Sequence, residues 1–349
     1  MNDRDLVTET VRAILSGFPP RVLTADRRWD PDLWSALAAA GMTGVGFEGA
    51  GGSGGEIADA AAIVAALAAG AAAVPVAEHL LVAGPALVGA GLVLPDLDEP
   101  LSIALSGTVM AHMIDGVWTL TGTAHNVPWA CVARHLAVLA TGLDGPVLAV
   151  ARVAAGQATD DVSNLALEPR GSVMFKQAPA LGAAALTQAQ VDELRAKYAL
   201  ARAVQVAAAL EQVLVWTVQY ARERFQFGQP LAKFQAIQME LAQMAGEVTA
   251  VSALVDAAVL AMNCGQDVIL PAAAAKVRAG AAVGVVARLA HQVHGAIGYT
   301  REHKLHHLTT RLWSWRDEAG SELMWSRVLG VGVLADGPEG LWTTLIRVV

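Results

Sequence analysis

The feature that most constrains this chain is a long apolar-periodic run that opens at Thr187 and reaches Arg224. It then breaks abruptly into Phe-Gln-Phe-Gly-Gln-Pro, residues 225 to 230. A helix of that length cannot bury its apolar stripe alone, so it demands partners of similar length. The following sequence supplies them. Apolar spacing at helical period predicts helices over Phe234–Asn263, from Pro271 to Ala290 or beyond, and over His303–Gly330. Long helices joined by short loops predict an antiparallel four-helix bundle. The apolar stretch from Gly330 to Val349 reads as an irregular tail docked on the core or on a partner.

The first hundred residues are also helical. Asp30 is placed as an N-cap with Pro31 at the first helical position, and Leu33, Leu37 and Ala40 recur at helical spacing. Two further helices are expected over Ile57–Ala73 and Ala77–Ala90. The Gly-rich loop at residues 49–56 lacks the Lys-Ser/Thr of a phosphate-binding loop and follows no convincing strand, so a connection outweighs a phosphate cradle. Between Leu101 and Ala180 the character changes to short runs rich in Val, Ile, Leu, Thr and Trp, divided by Asp115-Gly116 and Asp144-Gly145-Pro146. That is hairpin chemistry. The predicted class is α+β, mainly α, with an N-terminal helical domain over 1–98, a β-domain over 99–184, and a helical bundle with its tail over 185–349.

Composition removes several functions. A net charge of -8 argues against a nucleic-acid surface, although a local basic pocket for a phosphate remains compatible. Two cysteines, Cys131 and Cys264, lie in no metal-ligand spacing, and a reducing cytoplasm is the expected setting. The apolar run Ala60–Ala77 is mostly Ala, contains Pro75 and is flanked by Asp59 and Glu78, which favours a buried helix over a membrane span. His291, His294, His303, His306 and His307 lack a completing carboxylate, so a polar or interface face is expected rather than a metal site. Trp313, Trp315, Arg316 and Asp317 read as core packing with a local Arg–Asp pair.

"YARERFQFGQPLAKFQAIQMELAQMAGEV" together with "HQVHGAIGYTREHKLHHLTTRLWSWRD" resembles the acyl-CoA dehydrogenase family. The resemblance runs along nearly the whole chain, sharp in the C-terminal half and weak in the middle. It implies FAD, an acyl-CoA thioester substrate, and α,β-dehydrogenation in which a carboxylate takes the α-proton while the β-hydride leaves for the flavin. It also implies a homo- or hetero-oligomer, a dimer or tetramer with a related subunit, because one subunit's bundle holds the ADP part of its neighbour's cofactor. Carried over by position, Arg224 stands where the family binds the pyrophosphate, Phe227 beside the nucleotide and Gly228 in the tight turn. Gln226, Gln235, Gln292 and Gly295 fall at further cofactor-side positions, and Ala296 stands where a second Gly is usual.

The catalytic positions depart from the pattern. The family's Glu falls on Ala319, with Glu318 one residue early, and on a continuous helix that shift would turn the side chain away by about 100°. The alternative base position on the first bundle helix falls near Tyr198, with Glu193 more than a turn away and Arg195 and Arg202 out of step. Near the flavin, an aromatic becomes Asn126 and a Thr becomes Pro128, which has neither N–H nor hydroxyl. No catalytic residue is therefore assigned, with Glu318 as the fallback. The pattern fits a non-catalytic subunit that completes a partner's FAD site in a heteromeric dehydrogenase, as in relatives acting on CoA thioesters of steroid side chains. The alternatives are an active homomeric enzyme using Glu318, and a flavin-free CoA-thioester-binding or scaffold protein.

Overall fold

The computed structural model describes residues 3–335 and 337, except 21, 22, 25, 26, 50, 155 and 156. Most of the expected apolar tail therefore lies outside the described residues. The chain divides into two compact units. The first comprises Met1–Phe18, Leu23–Val64 and Ala73–Ala201, and the second Pro19–Val22, Ala65–Ala72 and Arg202–Val349.

In the first unit, α1 (Asp3–Ser16) and α2 (Pro31–Ala39) precede α3 (Ile57–Ala69), which crosses the division between the units. The predicted cap is present: the Asp30 carboxylate accepts from the Leu33 N–H at 3.3 Å. The Gly-rich loop has committed its amides internally. Gly52, Ser53 and Gly54 donate to the carbonyls of Gly49, Gly44 and Phe47. A Cβ at Gly52 would lie 2.2 Å from the Phe47 carbonyl oxygen, so the glycine serves close packing of the loop on itself. The expected helix over Ala77–Ala90 is instead a buried π-helical turn, Glu78–Ala83, followed by α4 (Gly84–Gly89). His79 inside that turn bridges the Thr43 carbonyl and the Leu101 N–H, at 3.0 and 3.2 Å.

The β-region forms one sheet from β1 (Leu101–Ala104), β2 (Met110–Ile114), β3 (Val117–Pro128), β4 (His135–Thr141), β5 (Pro146–Arg152), β6 (Ala158–Ser163), β7 (Pro169–Pro179) and β8 (Gly182–Ala185). The strand order is β6-β7-β3-β2-β4-β5-β8, with β1 parallel to β4. Asp115-Gly116 makes the β2–β3 turn, with φ of 49° and 81°, as its sequence demands. Leu120, Val127, Leu136, Val138, Val173 and Phe175 fill the core of this sheet.

α5 (Gln188–Glu223) runs from the first unit into the second, which holds α6 (Gln235–Asn263), α7 (Ile269–His294), α8 (Leu305–Asp317) and α9 (Glu322–Ala335). The predicted single helix over His303–Gly330 is two helices. Glu318 is extended (φ -83°, ψ 157°), and Ala319 and Gly320 have φ of 57° and 96°. The local sequence does not impose that break, but buried side chains from α5 and α7 hold it, as described below. By length and composition α5, α6 and the run from Ile269 to Tyr299 are each long and apolar enough to cross a membrane, yet α5 and the α7 run bury most of their apolar windows within the protein, whereas α6 buries a third.

Candidate functional site

One end of the second unit gathers the predicted cofactor-side residues. α5 stops at Glu223, and the Arg224 N–H still reaches the Tyr220 carbonyl at 2.8 Å. A minimal hairpin follows, in which β9 (Phe225–Gln226) pairs with β10 (Gln229–Pro230). Its turn residues, Phe227 and Gly228, have φ of 51° and 82°. A two-residue turn with both φ positive is normally given to Asn-Gly or Gly-Gly. Phenylalanine there is strained by about 1 kcal/mol. Its side chain is nevertheless 93% exposed, with a T-shaped contact to Phe234 at 6.3 Å. An exposed aromatic held in a costly conformation points to a binding role.

Arg224, Gln226 and Gln235, the first residue of α6, are likewise exposed. The last turn of α7 reaches the same end. The Tyr220 hydroxyl donates to the His294 carbonyl at 3.3 Å, and the two rings stack at 4.5 Å. Tyr220 lies one turn before Arg224, and His294 immediately precedes Gly295. Gly295 has φ 64° with nothing within 4 Å of where a Cβ would stand, and Gln292 and Ala296 are exposed. The result is a guanidinium, carboxamides and open backbone on one solvent-facing surface, which suits a phosphate-bearing ligand. The histidines beneath it are packing groups. His294 donates from Nδ1 to the Ala290 carbonyl at 2.7 Å, lies tilted against the His303 ring at 4.6 Å, and is pushed down to about 4 by burial, so it is neutral at pH 7. His291, His303 and His307 are lowered for the same reason. Among the described residues no group of three His, Cys, Asp or Glu could hold a metal ion.

The base region is built in the opposite way. Because Glu318 is extended rather than helical, its side chain turns back to α5, where Oε2 lies 2.9 Å from Arg202 Nε. The helical rotation expected from sequence does not apply. Arg202 is 1% exposed and donates from Nη1 to Gln205 Oε1 at 2.6 Å. From α7, the equally buried Lys276 donates to the Arg316 carbonyl in the last turn of α8. Its ammonium is pushed down to about 8, by burial first and by Arg202 next, with Glu318 acting in the opposite sense. Arg316 makes the expected local pair with Asp317 at 3.9 Å and a closer one with Glu322 at 2.7 Å. Trp325 Nε1 donates to the Ala319 carbonyl at 2.8 Å. Near the alternative base position, Glu193 is committed to Lys197 at 2.6 Å.

Models of the acyl-CoA dehydrogenase N-terminal and C-terminal domains match residues 2–91 and 182–324. The chain belongs to the acyl-CoA dehydrogenase family. Members of the family are FAD-dependent flavoproteins. The chain is 40% identical to 3-(aryl)acrylate reductase of Clostridium sporogenes over 91 residues, which span 26% of this chain but only 24% of that protein. It is 29% identical to acyl-CoA dehydrogenase FadE27 of Mycobacterium tuberculosis across 80% of this chain and 82% of the relative. Among solved structures, a variant of the Tcur3481-Tcur3483 steroid ACAD superposes with a TM-score of 0.83 at 25% identity, covering 96% of this chain and 98% of that one.

Against the needs of an FAD, the chain is uneven. The exposed end of the bundle fits the ADP portion, for the reasons given. The positions that family members turn toward the flavin ring fit poorly. Asn126 is exposed with φ 51°, at a register shift in the β3–β7 pairing. Pro128 is buried and uses its carbonyl to accept the Ser102 hydroxyl at 2.6 Å. Trp129 packs with Leu23, Ala73 and Val132, and its ring lies 5.9 Å from Arg170, itself paired with the buried Glu168 at 3.4 Å. Sequence reasoning named Arg202 only as out of step and passed over Lys276. A lone Lys in the apolar run "PAAAAKVRAG" was the available signal.

Proposed function

We propose that this chain is a cofactor-completing subunit of an FAD-dependent acyl-CoA dehydrogenase whose chemistry takes place in a partner subunit. The observation that carries the reading is an asymmetry within the second unit. Arg224, Gln226, Phe227, Gln235, Gln292, Gly295 and Ala296 are all solvent-facing at one end, while the carboxylate beside the base position is tied to buried Arg202. A clamp that faces outward is placed to serve a cofactor on another chain. The exposed apolar face of α6, with Met239 and Leu260, also favours an oligomer. Relatives named an acyl-CoA dehydrogenase and a two-part steroid ACAD support an acyl-CoA thioester substrate with a steroid-type acyl group and a heteromeric assembly. We further assign domains over 1–98, 99–184 and 185–349, and a cytoplasmic setting.

The test is purification of the chain alone and together with a candidate partner, a related acyl-CoA dehydrogenase subunit. The lone chain should carry little flavin absorbance, and the co-purified complex should gain flavin and acyl-CoA oxidation together. A homomeric preparation with full FAD and sustained turnover would refute the reading.

A further inference from the structure

We propose that Glu318 is a permanent counter-ion to buried Arg202 and Lys276, locking the α8–α9 break, and is not a proton acceptor. The inference deepens the reading above, on which it rests for the identity of the base position. Three observations support it. First, Arg202 and Lys276 are each 1% exposed and approach from different helices, so two cations meet in a desolvated space. Second, the Glu318 side chain is 17% exposed and 2.9 Å from Arg202, while Glu322 is already engaged by Arg316 and Asp317 is mostly exposed. Third, the break is held at several points: Lys276 on the Arg316 carbonyl, Trp325 on the Ala319 carbonyl, and Gly280 leaving room for Glu322.

A general base must give up its negative charge when it takes the substrate's proton. Protonating Glu318 would remove the negative charge 2.9 Å from buried Arg202 and weaken the favourable field that Glu318, with Asp317 and Glu322, sets at buried Lys276. The environment thus opposes the one change that catalysis by Glu318 requires. A carboxylate positioned for proton abstraction is instead kept within reach of substrate and free to neutralise.

The experiment compares Glu318→Gln, Glu318→Asp and the double variant Arg202→Met/Glu318→Leu in the lone chain and in the reconstituted complex. As a counter-ion, Glu318→Gln should lower the Tm of the lone chain by more than about 5 °C, and the double variant should recover a large part of that loss. Turnover per bound flavin in the complex should stay within about twofold of wild type. Should Glu318→Gln fail to fold, Glu318→Asp takes its place. It keeps the charge, so turnover per flavin should again change little, whereas retraction of a true base by one methylene should cost about tenfold or more. A loss of turnover of about a hundredfold with unchanged Tm would overturn the inference. Full flavin and turnover in the lone chain, unaffected by Glu318→Gln, would refute the partner-subunit reading and leave the lock intact.

Discussion

The two ends of the second unit handle charge in opposite ways. At the end formed by Arg224 and Gly295, a cation and an aromatic are held in water, one of them at the cost of backbone strain. At the α8–α9 break, two cations are taken out of water and matched to a carboxylate. Exposed groups kept in an unfavourable state mark a surface built for a ligand. Buried groups that satisfy one another mark architecture. Position in a family alignment does not separate these cases, but solvent exposure and partners do.

The largest expected effect breaks the architectural half. Arg202→Met leaves Glu318 facing Lys276 with its 2.9 Å partner gone, and should cost about 3–5 kcal/mol of stability by denaturant unfolding. Flavin affinity of the fraction that remains folded should be unchanged. Arg224→Met is the mirror experiment. It should weaken flavin retention in the reconstituted complex by about 10- to 100-fold, the scale of a lost charge-assisted hydrogen bond to phosphate, and leave the Tm of the lone chain where it is. If both variants moved both readouts, the contrast between the two ends would collapse.

How much of this was visible in the sequence follows the same division. α5, α6 and α7 were legible because apolar residues recur at helical period, and the Asp30 cap and the Asp115-Gly116 turn because their chemistry is local. The exposed face that carries Arg224 was legible because Arg224, Phe227 and Gly228 lie close together on one helix end. The break at Glu318 was not, because Gly320 alone is tolerated in a helix and the contacts that open the chain come from Arg202 and Lys276, distant in sequence. The π-helical turn at Glu78–Ala83 was hidden for a similar reason: its composition is helical, and His79 is fixed by Thr43 and Leu101.

Lys276 sharpens the comparison through pH. Its folded-state value, about 8, lies below the ordinary 10.5, so the buried charge opposes folding in full below pH 8. The unfolded chain binds more protons between about pH 8 and 10.5, and this group's contribution to stability rises with pH across that window. Unfolding free energies measured from pH 7 to 10 should show the difference between wild type and Lys276→Met shifting in favour of wild type above pH 8. A pH-independent difference would remove Lys276 from the ionic cluster. Gly280→Ala probes the same cluster sterically. The added Cβ would stand 2.6 Å from the Glu322 Cγ, and displacing that side chain from Arg316 should cost about 1–2 kcal/mol, read as a lowered denaturant midpoint.

The smallest effect is the most discriminating, because it should carry opposite signs in two assays. Phe227 holds φ 51° in a turn whose geometry favours Asn followed by Gly, and Gly228 already stands in the second place. Phe227→Asn should therefore relieve strain and raise the stability of the lone chain by up to about 1 kcal/mol, seen as a small increase in Tm. The same change removes a 93%-exposed aromatic from the face that carries Arg224. Flavin retention in the complex should fall several-fold even as the subunit itself melts later. A variant that gained stability without losing flavin would show that the strain at Phe227 serves something other than the cofactor, and one that lost both would show that the ring supports the fold through Phe234.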